Sequence, residues 1–329
     1  MPVITLLTDF GTADEYVGVM KGVMLSICPS VTVVDITHQI EPQDIEQAAY
    51  LVPAYFHYFP EGAIHIVVVD PGVGSQRGVL AVHFRKRFFI APDNGVLSLL
   101  LRDQKSDTII EVNKSEYFLE PLSTTFHGRD IFAALGAHIA CGTKIESLGL
   151  RRQIKDIVYL NDLTCQVTES GELIGKIVSI DRFGNLISNI DAVQLRNFYR
   201  SGPSQQIHIT IGALTIYGIA KTYSDAASEV PLALIGSRGY LEIALNCANA
   251  QKRDNAGSLN TPTGWGQWEQ TWSKEVNGTS PRAHCAKEKK LPTTNGNARR
   301  NTKANFDQSA WTKLRSGSRS TPPTQTSPK

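Results

Sequence analysis

The run Ile64-His65-Ile66-Val67-Val68-Val69 ends in Asp70-Pro71-Gly72-Val73-Gly74-Ser75-Gln76-Arg77, and this stretch limits the possible folds more than any other. β-Branched residues in series favour a strand. A strand that ends on a carboxylate and a glycine-rich turn is how an α/β sheet presents a charged group at its carboxyl edge, where ligands bind. Taken alone, Asp70 is as readily a solvated turn residue. Two other segments repeat the pattern. Val3 to Leu7 is an apolar run that leads into Thr8-Asp9-Phe10-Gly11. Val17, Met20, Met24 and Ile27 then recur at helical spacing, with Thr12 and Glu15 at capping-box distance as the predicted helix start and Pro29 beyond its end. The third segment, Thr124 to Asp130, precedes Phe132, Leu135 and Ile139 at helical spacing. That places His127 at a helix start, close to free backbone N–H groups and the positive dipole end. A lone histidine is more often a packing residue than a catalyst, so His127 gains meaning only beside the other two segments.

From the amino terminus to about Leu150, strand-like runs (Val3–Leu7, Val31–Ile36, Ile64–Val69, Val79–Phe84, Phe88–Ala91) alternate with helical patterns. The second helix takes Pro42 in its first turn and buries Ile45, Ala49, Val52 and Phe56. This alternation predicts an α/β domain over residues 1–150 with a mostly parallel sheet. Arg151 to Asp162 reads as a linker. Over 163–250 the pattern changes to short strands at Glu172–Ile180, Gly184–Ile190, Gln206–Ile211, Leu214–Ile219, Leu232–Ile235 and Leu241–Leu245. Gly, Asn, Asp, Ser and Pro punctuate them, which predicts a small β-barrel or sandwich.

Residues 251–329 differ from both. They hold 14 of the 33 Lys and Arg but 5 of the 31 Asp and Glu, a net +9, which leaves −7 for the first 250 residues. Their only Leu, Ile or Val residues are Leu259, Val276, Leu291 and Leu314, too few to offset the entropy of ordering so long a segment, so a disordered basic tail is expected. Basic character with Trp265, Trp268 and Trp272 is compatible with nucleic-acid binding, but a solvated extension is the favoured reading. The five cysteines show neither CxxC pairs nor ligand spacing with His, which points to reduced thiols and a cytoplasmic location. No signal peptide and no apolar run near the ~20 residues of a membrane span is present.

The motifs, taken in order, resemble the S-adenosylmethionine (SAM) hydroxide adenosyltransferase family, relatives of the chlorinating and fluorinating enzymes that attack the same substrate. The resemblance rests on TDFG (8–11), KGVMLSICP (21–29), VVDITHQIEPQDIEQAA (33–49), VVVDPGVGSQR (67–77), APDNGVLS (91–98), TFHGRD (125–130), DRFGNLISNI (181–190) and GSRGYLEIALN (236–246), and it covers about the first 250 residues. It implies a C-terminal β-barrel domain and a homotrimer with sites between one subunit's α/β domain and its neighbour's barrel. It also implies hydrolysis of SAM to adenosine and L-methionine, with SAM as substrate and with neither cofactor nor metal.

The resemblance assigns Asp70, Arg77 and His127 as the water-activating set. Asp9 would accept hydrogen bonds from both ribose hydroxyls, and Asp181 would face the methionine ammonium. Ser237 and Arg238 would hold the methionine carboxylate, Phe183 would stack on adenine, and Asn185 would read its edge beside the backbone of Cys247. In the halogenating relatives the positions of Asp70 and His127 typically hold tyrosines, or at the latter a residue leaving room for halide. Gln43 stands where an aromatic lines the fluorinating enzymes' ribose pocket. Both differences favour hydroxide over halide. Family members usually continue with a final barrel segment where this chain has its basic tail.

The chemistry suits these side chains. The departing sulfonium becomes a neutral thioether, so no general acid is needed. The remaining task is to align a nucleophile behind C5′ and make hydroxide available near neutral pH. Arg77 would lower the pKa of a bound water, His127 would orient that water or take its proton, and Asp70 would act as base or fix the geometry. Three other functions compete, one of them the nucleic-acid binding through the basic tail already named. Asp9, Asp35, Asp70 and Asp93 all follow apolar runs and would suit a metal-dependent phosphohydrolase if they met around Mg²⁺. A non-catalytic binder of SAM or adenosine would use the same pocket as a sensor.

Overall fold

The computed structural model describes residues 1–102, 108–161, 163–200, 207–212 and 214–252. Its larger sheet contains β1 (Val3–Thr8), β2 (Thr32–Thr37), β3 (Ile64–Val68), β4 (Val79–Phe84), β5 (Arg87–Pro92), β6 (Thr108–Val112) and β7 (Gly149–Arg152), in the order β2-β1-β3-β5-β4-β6-β7. Strands β2, β1, β3 and β5 are mutually parallel; β4, β6 and β7 join antiparallel, so five of the seven strands share one direction.

Side chains on alternate strand positions divide the core. Ile4, Leu6, Ile66 and Val68 pack against α1 (Tyr16–Ile27) and α4 (Ala134–Ala140). On the opposite face Leu7, Val67 and Val69 pack against α2 (Ile45–Tyr55) and α3 (Ser98–Leu101). With helices on both faces, the central strands read as nearly continuous apolar runs. The chain crosses from β1 to β2 on one side and returns to β3 on the other. The carboxyl ends of β1 and β3, followed by Asp9 and Asp70, therefore flank a topological switch point.

The smaller sheet is antiparallel, in the order β10 (Ile177–Ile180), β11 (Leu186–Asp191), β15 (Tyr240–Leu245), β14 (Pro231–Ile235). Two hairpins accompany it, β8 (Gln166–Val167) with β9 (Leu173–Ile174) and β12 (His208–Ile211) with β13 (Leu214–Tyr217). Helix α5 (Ala192–Arg200) packs Leu195 and Phe198 into the same core. The small domain rests on α2. Tyr50 donates its hydroxyl to the Leu163 carbonyl and meets Tyr240 edge-on at 5.7 Å, while Lys176 pairs with Glu46 at 2.5 Å.

Several local expectations change. Helix α1 starts at Tyr16 with Glu15 at its N-cap and no side-chain cap, so Thr12 and Glu15 form no capping box. Helix α2 starts at Ile45, three residues after Pro42, and its cap is Asp44, whose Oδ1 accepts from the Gln47 N–H at 2.8 Å. The strand expected over Glu172–Ile180 is two strands, because Lys176 N–H turns to the Asn189 side chain at 2.8 Å. Strand β7 occupies the start of the expected linker. Of the tail, only Gln251 and Lys252 are described; Gln251 N–H donates to the Gly184 carbonyl at 3.1 Å, and residues 253–329 lie outside the described residues.

Candidate active site

The loop after β3 and the loop before the 128–140 helical segment lie against each other because Gly74 has no side chain. Its φ is +78°, and a Cβ there would sit 2.4 Å from the Thr124 carbonyl oxygen. This approach brings Arg77 to His127. The Arg77 guanidinium clamps Asp70, with Nε 2.8 and 2.9 Å from the two carboxylate oxygens and Nη2 bonded to Oδ2. The same Nη2 lies 2.9 Å from His127 Nδ1. The Asp70 and Arg77 side chains are 5% and 9% exposed and His127 is 8% exposed. Arg77 also lies over the Phe132 ring, 5.4 Å from its centroid. The expected trio is therefore assembled within one chain.

Hydrogen-bond direction fixes the histidine. A guanidinium only donates, so Nδ1 accepts and the neutral ring carries its proton on Nε2. Burial, then the Arg77 charge, hold the His127 pKa below its ordinary value, which keeps the ring neutral. A neutral Nε2–H orients an oxygen by donating to it; it does not take that oxygen's proton. Asp70 likewise spends both oxygens on Arg77 and is better suited to fix that side chain than to act as base. Asp70 and His127 line a cavity of ≈ 200 Å³ together with the aromatic group Phe10, Tyr16 and Phe126.

Asp9 Oδ2 accepts from the backbone N–H of Gln43 at 2.8 Å. Burial raises the Asp9 pKa, and the charge of Asp70 adds to the effect, so the two carboxylates are within electrostatic reach. The other two strand-end aspartates do not join them. Asp35 pairs with Lys21 and His38, and Asp93 Oδ1 accepts from Val158 N–H at 2.8 Å. Among the described residues no group of three or more His, Cys, Asp or Glu gathers as a metal site, so the four-aspartate arrangement of a phosphohydrolase does not form.

The remaining predicted residues, Asp181, Phe183, Asn185, Ser237 and Arg238, all line a second cavity, of ≈ 620 Å³, in the smaller domain. The 181–185 turn satisfies its own backbone. Asp181 Oδ1 accepts from the N–H groups of Phe183 and Asn185, each at 2.9 Å, and Oδ2 accepts from Asn185 Nδ2 at 2.9 Å. Gly184, at φ +85°, would place a Cβ 2.2 Å from the Asn249 side chain, so only glycine permits this turn. Phe183 points outward and is 75% exposed. Turn chemistry and a place in the cavity therefore coexist at Asp181 and Asn185.

Two polar lining residues, Tyr223 and Glu242, escape the sequence reading. Tyr223 lies 3.5 Å from Asn185 Nδ2 and donates its hydroxyl to Glu242 Oε2 at 3.0 Å. Glu242 is buried, and burial raises its pKa. A carboxylate between Leu241 and Ile243 in an apolar run was the available signal for Glu242. Tyr223 carried none. The two cavities share no lining residue.

Residues 4–149 match the family described as SAM hydroxide adenosyltransferase N-terminal domain, and residues 175–259 match its C-terminal domain. A (R)-S-adenosyl-L-methionine hydrolase of Thermus thermophilus is 33% identical over 256 residues, 76% of this chain and 94% of its own length. Another, from Methanocaldococcus jannaschii, is 30% identical over 274 residues, 79% and 94% of the two chains. A fluorinase of Nocardia brasiliensis is 29% identical over 275 residues, 75% and 91%. An uncharacterized conserved protein from Thermotoga maritima has a solved structure similar to this one, with a TM-score of 0.72 at 31% identity, covering 82% of this chain and 100% of that one.

Proposed function

Because this chain belongs to the SAM hydroxide adenosyltransferase family, we propose that it hydrolyses S-adenosyl-L-methionine to adenosine and L-methionine by attack of hydroxide on C5′ of the ribose. The observation that carries this reading is Arg77 held between Asp70 and His127 beside a cavity. Hydrolase and fluorinase relatives are almost equally similar in sequence, so identity does not separate the two reactions. The ionic trio supports the hydroxide reading, because a fixed cation with a histidine N–H beside it both favours hydroxide formed from water and orients its oxygen.

Asp70 sets the guanidinium, Arg77 holds His127 with its proton on Nε2, that N–H aims the attacking oxygen, and the buried guanidinium charge favours the hydroxide form of the water. The water's proton passes to solvent. The oxygen lone pair forms the new bond to C5′ while the C5′–S pair withdraws onto sulfur, leaving neutral methionine thioether. Asp9 accepts from the ribose hydroxyls and Phe183 stacks on adenine, with Asn185 at its edge. Ser237 and Arg238 take the methionine carboxylate. Asp181, with Glu242 behind it, supplies the negative charge that the ammonium requires. The substrate serves as its own activated group, so neither cofactor nor metal takes part.

The separate lining of the two cavities supports a homotrimer in which the α/β cavity of one copy faces the smaller domain of the next, whose sheet and hairpins close as a β-barrel in the cytoplasmic enzyme. Among the described residues no helix is long and apolar enough to cross a membrane. Incubation with SAM in EDTA and in high chloride tests the reaction class. Adenosine and methionine are the expected products; a 5′-chlorinated nucleoside, or silence restored by Mg²⁺, would refute it.

A further inference from the structure

A polar chain runs behind Asp9 that the reaction as described does not use. Strands β1 and β2 pair Leu6 with Asp35 and Leu7 with Thr37, so Ile36 is an extra residue on β2. Such a bulge re-aims the side chains that follow it. Here it lets Asp35 and His38 face the end of β1. His38 is buried, with Nδ1 2.8 Å from Thr8 Oγ1 and Nε2 3.1 Å from Asp35 Oδ1, the latter a close polar contact outside hydrogen-bond geometry. Asp35 Oδ2 in turn takes Lys21 Nζ at 2.6 Å. A carboxylate facing Nε2 favours the proton there, which leaves Nδ1 to accept from the Thr8 hydroxyl.

The far end of the chain grips the loop on both sides of Asp9. Thr8 Oγ1 accepts from Phe10 N–H at 3.2 Å, and the His38 carbonyl accepts from Gly11 N–H at 2.7 Å. The Asp9 backbone thus lies between two anchored neighbours, while Gln43 N–H fixes its carboxylate from the other side. Gln43 adopts φ +68°, a conformation that costs a non-glycine residue energy and persists where surroundings impose it.

We infer that His38 and Asp35 are positioning residues that hold the Asp9 carboxylate in register with a ribose diol. Their contribution is selectivity for a nucleoside bearing both hydroxyls, not turnover. The inference rests on the reading of Asp9 as the ribose acceptor. A purely structural role would weaken every ligand alike.

Equilibrium binding of adenosine and of 2′,3′-dideoxyadenosine to the full-length protein separates these outcomes. In the wild type, adenosine should bind more tightly. His38→Ala should weaken adenosine by about tenfold and the dideoxy analogue by less than about twofold, the worth of one misplaced charge-assisted hydrogen bond. In an Asp9→Asn background the same substitution should change adenosine binding by less than about twofold, since residues acting as a unit are not additive. Because His38 is buried, Asp35→Asn serves as the variant that opens no cavity; its side chain is 40% exposed. It should shift adenosine binding in the same selective sense by about threefold, a partial loss of that interaction. Equal weakening of both ligands, or an unchanged adenosine affinity in Asp35→Asn, would overturn the inference. A wild type that binds both nucleosides equally would also overturn it, and would place the failure in the role of Asp9.

Discussion

The two cavities of this chain are built on opposite principles. In the α/β domain Asp70, Arg77 and His127 are nearly closed to solvent and bonded to one another, so their geometry is set before any ligand arrives. The cavity beside them, at ≈ 200 Å³, is small. In the second domain the cavity is ≈ 620 Å³, and Phe183, its adenine-stacking candidate, is 75% exposed. A preorganised, dry arrangement of charge favours a transition state, whereas an open wall of aromatic and polar side chains favours recognition. On the proposed roles, the difference puts the chemistry in the first cavity and most of the substrate recognition in the second. The first meets the ribose and the attacking water while the second takes both the adenine and the amino-acid end, so one substrate molecule draws on both.

That separation is most easily broken at Arg77. Arg77→Ala should lower kcat by about 10²- to 10³-fold with KM within about threefold, because charge stabilisation of the nucleophile is expressed in the transition state. Steady-state kinetics decide this, and a raised KM at constant kcat would move the α/β cavity to the binding side. Phe183→Ala is the counterpart. It should raise KM by about tenfold and leave kcat within about threefold, the loss of one stacking surface. A collapse of kcat in this variant would erase the distinction.

Mixed assemblies sharpen the comparison further. If each site joins two copies, co-assembling Arg77→Ala and Phe183→Ala subunits in equal amounts regenerates intact sites in about a quarter of positions at random mixing. Activity at low SAM should therefore approach a quarter of wild type, well above either variant alone. Activity no greater than the average of the two variants would assign both cavities to one subunit's site.

Acidity should act on the two cavities through different parameters. His127 must be neutral, and burial and Arg77 lower its pKa, so kcat should persist below the ordinary histidine value of 6.5 and fall only in more acidic solution. Glu242 must be ionised to favour an ammonium, and burial raises its pKa above the ordinary value of 4.5, so KM should rise as pH falls toward that range from above. Glu242→Gln should remove the dependence in KM while leaving that in kcat. Pre-steady-state and steady-state pH profiles separate the two.

Much of the chemical half is legible in the amino-acid sequence. Asp9, Asp70 and His127 stand at strand ends or a helix start, and local pattern is enough to find such places. What local pattern misses is long-range. The contact of Gly74 with Thr124 joins residues fifty apart, and the Gln43 N–H that seats Asp9 comes from another loop altogether. Helix α5 escapes the pattern because only Leu195 and Phe198 of its nine residues are buried, too few to establish a period. The capping box at Thr12 and Glu15 misleads for the opposite reason, since the spacing is present but the loop carries on to Tyr16 before the helix begins. Tyr223 enters its cavity through a bond to Glu242, nineteen residues away, which no periodicity encodes.

The central claim, that the cavity lined by Asp70 and His127, with Arg77 behind them, delivers an oxygen from water to C5′, is tested most directly by turnover of SAM in heavy-oxygen water containing EDTA. Mass spectrometry of the products should find one labelled oxygen in adenosine, at the 5′-hydroxyl, with unlabelled methionine and undiminished yield. Unlabelled adenosine, or a reaction that stops in chelator, would contradict it.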